Sequence, residues 1–335
     1  MDIRQNILAT LSYYDVFDLP LSREEVAARL INFKHLGLGR SLTEQRPGTD
    51  EVGRELDQLM LDGVINRGGS FYFLSGRNYL PPLRLKREKM ARDNWRITGR
   101  MARWIRLLPY VRAVFASGSL AMRNMDELSD LDILVVVRHG RIWFARLLVT
   151  GLFSLLRMRR NAGDKIAPGK ICLNHYITDK SLLIPFKSIY TAQTYANLAP
   201  IYFRDYAAAR EFKRENEWVM DFVFGWNWSE EAVIKNSWLE NAAKFAETIL
   251  DKTLGAKLEG KAGRWQRRRI ERNPATKLGG GRVVFNDNHL EFHPHSVEPE
   301  IIESYNNRLR QLGLGVLAIE KNSGIVLERA VIVDN

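Results

Sequence analysis

Apolar positions recur along this chain first with a helical period, then with a strand period, and the change-overs divide it. Ile3, Ile7, Leu8 and Leu11 predict a first helix over residues 3–14. After Pro20, Ser22 and Glu25 form a capping-box pattern that opens a second helix, Ser22 to Leu30. A polar loop, Gly37 to Gly48, leads to a third helix over Asp50 to Asp62, with Val52, Leu56, Leu59 and Met60 directed inward. Val64 to Leu74 reads as a β-hairpin turning at Gly68-Gly69. In the basic helical stretch Arg84 to Arg106, Met90, Trp95, Ile97, Met101, Trp104 and Ile105 are the packing residues. Val111 to Ala116, Ile133 to Val137 and Lys170 to Ile177 are short apolar runs of the kind that form buried strands. Between the last two, Ile142 to Leu156 predicts a helix buried on the sheet, because it contains Arg146 and is too short to cross a bilayer. Beyond Thr178 the pattern predicts helices over 181–198, 201–217, 237–254 and 301–312, with a hairpin over 283–292 turning at Asn286 to Asn288.

Chemistry concentrates between the first two buried strands. Ser117-Gly118-Ser119 ends one strand, and Leu120 to Met125 are helix formers with Ser119 placed to cap them. Asp130 and Asp132 open the next strand and, at period two, emerge on one face. Two carboxylates this close repel unless a cation is shared between them, and hard oxygen donors favour Mg²⁺ or Mn²⁺, which in turn bind phosphates. The free N–H groups at the start of the intervening helix suit a nucleotide triphosphate. Either half of the pattern alone reads as a turn or a strand start; the two together are harder to explain that way.

Gly118-Ser119, about ten intervening residues, then Asp130-x-Asp132 in a hydrophobic strand resembles the signature of the DNA polymerase β-like nucleotidyltransferase superfamily. The resemblance implies that Gly118 and Ser119 contact phosphate, that Asp130 and Asp132 ligate metal, and that an NMP moves from an NTP to an acceptor hydroxyl with release of pyrophosphate. Arg123, one turn beyond Ser119, is placed to assist the triphosphate. The family places a third carboxylate on a following strand, where this chain has Asn174, an amide that can ligate weakly but cannot serve as a base. Asp164 and Asp179 are candidate substitutes, and His175 reads as a strand-edge residue on the opposite face. His289, His293 and His295 lack an adjacent ligand set, so no metal site is expected of them.

The three N-terminal helices and their hairpin resemble a winged helix-turn-helix domain. The third helix carries Asp50, Glu51, Glu55, Asp57 and Asp62 against Arg54 alone, a poor face for DNA phosphate, so a protein-contact or substrate-positioning role is at least as good a reading. The fold expected is α/β (α+β): a winged-helix-like domain over 1–80, a basic linker helix over 81–108, a polymerase β-like nucleotidyltransferase core over 109–180, a mainly helical C-terminal domain over 181–313 and a tail over 314–335.

Net charge changes the choice of partner. At +11, with basic clusters over 84–106 and 257–272, the chain suits RNA or another anionic acceptor. Its 45% hydrophobic content argues for folded domains, and its one cysteine excludes an intrachain disulfide framework and a cysteine-based zinc site. A cytoplasmic protein without a signal peptide or stable membrane insertion is expected. The alternative reading is a non-catalytic nucleotide-binding or DNA-binding winged-helix regulator built on a degenerate nucleotidyltransferase domain, and Asn174 is the residue that supports it.

Overall fold

The computed structural model describes residues 3–33, 46–160, 167–204, 206–226, 238–277, 281–315, 318 and 326–327. The N-terminal helices form where their apolar period requires: α1 (Ile3–Asp15), α2 (Arg23–Ala28) and α3 (Thr49–Leu61). Ser22 caps α2 with the expected capping box, its side chain accepting from Glu25 N while Glu25 accepts from Ser22 N. β2 (Ile65–Gly68) and β3 (Phe71–Leu74) form the hairpin, turning through Gly69 at φ +63°. β1 (Leu21–Ser22) pairs with the far edge of β3, giving a small sheet in the order β1-β3-β2.

α4 (Leu80–Ile105) carries the chain from this body to the second. Its basic residues are partly neutralised: Arg84 is buried, with Nη2 at 2.8 Å from both Glu25 and Glu88. Met90, Trp95, Ile97, Met101 and Ile105 pack on the second body as their spacing requires, whereas Trp104 is exposed.

The remaining elements in chain order are β4 (Val111–Ala116), α5 (Gly118–Ala121), β5 (Leu131–Val137), α6 (Ile142–Leu155), β6 (Ile171–Thr178), α7 (Ile189–Ala196), β7 (Ala199–Phe203), α8 (Tyr206–Glu215), α9 (Val219–Phe222), α10 (Trp238–Lys252), α11 (Gly255–Glu271), β8 (Arg282–Phe285), β9 (His289–His293), α12 (Glu298–Gln311) and β10 (Val326–Leu327). Among the described residues, seven strands join in the order β10-β8-β9-β6-β5-β4-β7, so the molecule is mixed α/β. β5 and β6 are parallel, joined through α6, and β4 lies antiparallel to β5. Both faces of this sheet are covered, which is why β5 reads as a nearly continuous apolar run. Ile133, Val135 and Val137 face Val149 and Phe153 of α6, while Leu134 and Val136 face Ala192 of α7 and Phe212 of α8. Trp143 and Phe153 of α6 are buried, and among the described residues no helix is long and apolar enough to cross a membrane.

Three expectations give way here. Residues 199–203 form a strand on the edge of β4 where a helix over 201–217 was expected; Pro200 and the branched and aromatic Ile201, Tyr202 and Phe203 favour extended backbone, and helix resumes only at Tyr206. Residues 182–187 are not helical either, because Pro185 interrupts them, and α7 starts after Ser188, whose side chain accepts from Thr191 N. The segment expected to be a mainly helical domain over 181–313 therefore supplies β7, β8 and β9 to the same sheet as β4, β5 and β6. It also supplies Ile302, Tyr305 and Leu309 of α12 to the N-terminal core. On α10, Trp238, Phe245 and Ile249 are exposed, while Glu240, Ala243 and Glu247 are buried, Glu247 paired with Arg112 and Arg204.

Candidate active site

The site forms where β4 and β5 run out. Ser117 N donates to Asp132 O at 2.9 Å, the last rung between the two strands, and the chain then turns at Gly118 with φ +59°. A Cβ at Gly118 would lie 3.0 Å from Asp132 Oδ2, so the glycine is needed both for its backbone angle and for the close approach of the carboxylate. Asp132 is partly buried, with Asn174 Nδ2 at 3.4 Å from its Oδ1. Asp130 hydrogen-bonds Arg160 Nη1, and Asp130, Asp132 and Cys172 each offer a ligating atom within 4.8 Å of the others.

Asp132 lines two cavities. One, of about 420 Å³, is lined by Ser117, Gly118, Ser119, Arg87, Tyr190 and Gln193 among others. The other, of about 670 Å³, is lined by Asp130, Arg146, Arg159, Arg160, Trp265 and Arg269 among others. Asp132, Asn174, His293 and His295 line both.

Burial, and then the charge of Asp130, push the Asp132 carboxyl up to about 6. Burial and the two nearby carboxylates also raise the Cys172 thiol, leaving it protonated and a poor ligand. The two carboxylates that remain suit a hard divalent cation, which would relieve the repulsion that raises Asp132.

Behind Asn174 runs a polar chain. Asn174 Nδ2 lies 2.8 Å from His293 Nε2, and His293 Nδ1 lies 3.1 Å from Glu291 Oε1. With the amide oriented this way, Asn174 donates to both Asp132 and His293, and His293 donates to Glu291. Burial would raise Glu291, yet its carboxyl is held well below the usual range by its polar neighbours, Arg282, His289 and His293 among them. Burial pushes His175 down to about 3, and Arg282 Nη1 lies 3.6 Å from Glu291.

Gly118, Ser119, Asp130, Asp132 and Asn174 thus converge. Arg123 does not: it is exposed at φ +55° and lines neither cavity. Asp179, at the far end of β6, accepts from His139 N at 2.8 Å and faces Arg112, while Asp164 lies outside the described residues. His175 is not at a sheet edge, since β6 lies between β5 and β9. Nor does strict alternation hold: Asp132 pairs with Cys172 but Leu134 with His175, an extra residue on β6 that lets Asn174 and His175 line the same cavity.

Arg87, Arg160, Glu291 and His293 reach the site without having been singled out for it. Arg87 belongs to the basic stretch over 84–106 and Glu291 to the hairpin over 283–292, and neither pattern says which strand lies alongside. Compared with family models, with curated proteins and with solved structures, the chain matches none.

Proposed function

We propose that this protein is a metal-dependent nucleotidyltransferase with a polymerase β-like core, moving an NMP from an NTP to the hydroxyl of an anionic acceptor. The observation that carries this reading is the position of the Asp132 carboxylate, against Gly118 and lining two cavities. The NTP is assigned to the cavity beside Gly118 and Ser119, and the acceptor, RNA or another polyanion, to the larger one with Arg146, Arg159 and Arg269. The acceptor oxygen forms a bond to the α-phosphorus as the bond to the β-phosphate oxygen breaks, and pyrophosphate leaves. Asp130 and Asp132 would hold Mg²⁺ or Mn²⁺, which would supply Lewis-acid stabilisation of the phosphate charge; for Asn174 to add its amide oxygen, the amide would have to turn from the orientation in which it donates to Asp132. Gly118 admits the phosphate close to the backbone, Ser119 donates its hydroxyl to a phosphate oxygen, and Arg87 faces the same space. Asn174 takes no proton and serves to position Asp132.

The N-terminal body is assigned as winged-helix-like. The exposed Asp50, Glu51 and Asp57 of α3 favour contact with a protein or positioning of substrate over duplex DNA. Asn174 and the Arg160–Asp130 ion pair favour a second reading, a nucleotide-binding regulator that no longer turns over.

Transfer of label from α-phosphate-labelled ATP, CTP, GTP and UTP, with Mg²⁺ or Mn²⁺ and cellular RNA or protein as acceptor, separates the two. Incorporation by the wild type and its loss, by at least about 100-fold, in Asp130→Asn and Asp132→Asn is expected. Metal-dependent nucleotide binding without transfer would establish the regulator, and neither binding nor transfer would overturn the site.

A further inference from the structure

β6 and β9 pair antiparallel with His175 opposite Glu291 and Ile177 opposite His289, which puts His175, Glu291 and His289 on one face of the sheet. All three are buried. His175 Nε2 and His289 Nε2 are 3.0 Å apart, and the rings lie within 6° of parallel with centroids 5.0 Å apart. The centroid separation exceeds the nitrogen separation by nearly two ring radii, so the rings meet edge to edge with both Nε2 atoms turned into one gap. Glu291 Oε2 lies 3.4 Å from His289 Nε2 and has no hydrogen-bond partner.

A single N–H shared between the imidazoles accounts for the short nitrogen distance but not for the carboxylate oxygen. A buried carboxylate oxygen without a donor costs on the order of 1–3 kcal/mol. Arg282, with Nη2 at 2.8 Å from Glu298 and Nη1 at 3.6 Å from Glu291, is shared by these two buried carboxylates.

We propose that His175 Nε2, His289 Nε2 and Glu291 Oε2 form a binding site for a zinc-class divalent transition-metal ion, distinct from the Asp130–Asp132 pair. Two imidazoles and one carboxylate select such an ion over Mg²⁺ or Ca²⁺, which prefer all-oxygen shells. The three ligating atoms already lie within 4.8 Å of one another. The surroundings orient the ligands as outer partners of metal sites do: Tyr195 Oη lies 3.5 Å from His175 Nδ1, and His293 Nδ1 lies 3.1 Å from the other Glu291 oxygen. His175 and Glu291 line the cavity that holds Ser119, so the ion has an entry path and a fourth position open to water. The ion would tie β6 to β9 and, through Glu291 and His293, hold Asn174 against Asp132. The site does not depend on nucleotidyl transfer and stands or falls separately from it.

The test is metal binding by the full-length protein, first stripped with chelator and checked for native circular dichroism. Titration with Co²⁺ is expected to give one equivalent with the intense visible bands of a four-coordinate ion, displaced by Zn²⁺. The double variant Asp130→Asn, Asp132→Asn is expected to keep these bands, and His289→Gln to bind at least about 100-fold more weakly. Absence of the bands in folded wild type overturns the proposal whatever the variants do. Loss of the bands in the aspartate variant with retention in His289→Gln overturns it equally, by moving the ion to Asp130 and Asp132.

Discussion

Burial acts on Asp132 and His175 in opposite senses, and the two can be separated by titration. His175 is held neutral down to about 3, whereas the unfolded chain protonates near ~6.5. As pH falls below ~6.5 the unfolded chain takes up a proton that the native state refuses, so the stability this residue contributes, complete above that pH, is lost progressively towards pH 3. Asp132, raised to about 6 from an unfolded value of ~3.9, runs the other way: its contribution is complete at low pH and fades as pH rises through 6. His175→Gln therefore removes one slope and leaves the other. In chelator, urea unfolding of wild type and variant between pH 6.5 and 5 is expected to show their difference changing by up to about 1.4 kcal/mol per pH unit; parallel curves would mean that His175 is not kept neutral. At this scale, the sequence made Gly118, Ser119, Asp130 and Asp132 legible because a turn and an alternating strand bring them together within one local unit. His175, His289 and Glu291 were not legible, because their convergence depends on which strands pair and in what register.

Among the elements, the β8–β9 hairpin has the largest effect on the site for its length. Its turn is closed by Asn286 Oδ1, which accepts from Asn288 N and His289 N, each at 2.8 Å. The turn sets the register that carries His289, Glu291 and His293 to β6. Asn286→Ala removes both bonds and is expected to cost about 1–2 kcal/mol in chemical denaturation, with a matching loss of His293 order beside Asn174 visible by NMR. An unchanged midpoint would show that the hairpin is held by its strand pairing alone. The hairpin itself, with its Asn286–Asn288 turn, could be read from alternation and turn chemistry. β7 was harder to read, because Ile201-Tyr202-Phe203 is as apolar as a helix segment of that length, and its residue types lean towards extended backbone without deciding it until the edge of β4 is there to pair with.

Across the whole molecule the two bodies are joined by more than α4. Tyr14 Oη donates to Gln193 Oε1 at 2.6 Å and accepts from Asn197 Nδ2 at 2.7 Å, and Arg308 Nε donates to Asp15 Oδ2 at 2.6 Å. Tyr305 of α12 is fully buried with its ring edge-on to Tyr13, 5.3 Å between centroids. Tyr305→Ala is expected to cost about 3–5 kcal/mol and to lower the unfolding midpoint of both bodies together. Separate shifts reported by probes in the two bodies would show that they unfold independently. A boundary drawn at residue 180 from the local pattern misses this coupling, since nothing local in α12 announces that Ile302, Tyr305 and Leu309 belong to a core begun some 290 residues earlier.

That closure bears on the order in which the protein can be made. Ile7 and Leu11 leave the ribosome well before Leu309, yet the cluster they belong to stays unfinished until Leu309 has emerged, about 300 residues later. α1 must therefore wait, partly uncovered, while the residues between it and α12 are made, exposed to aggregation and proteolysis until α12 closes over it.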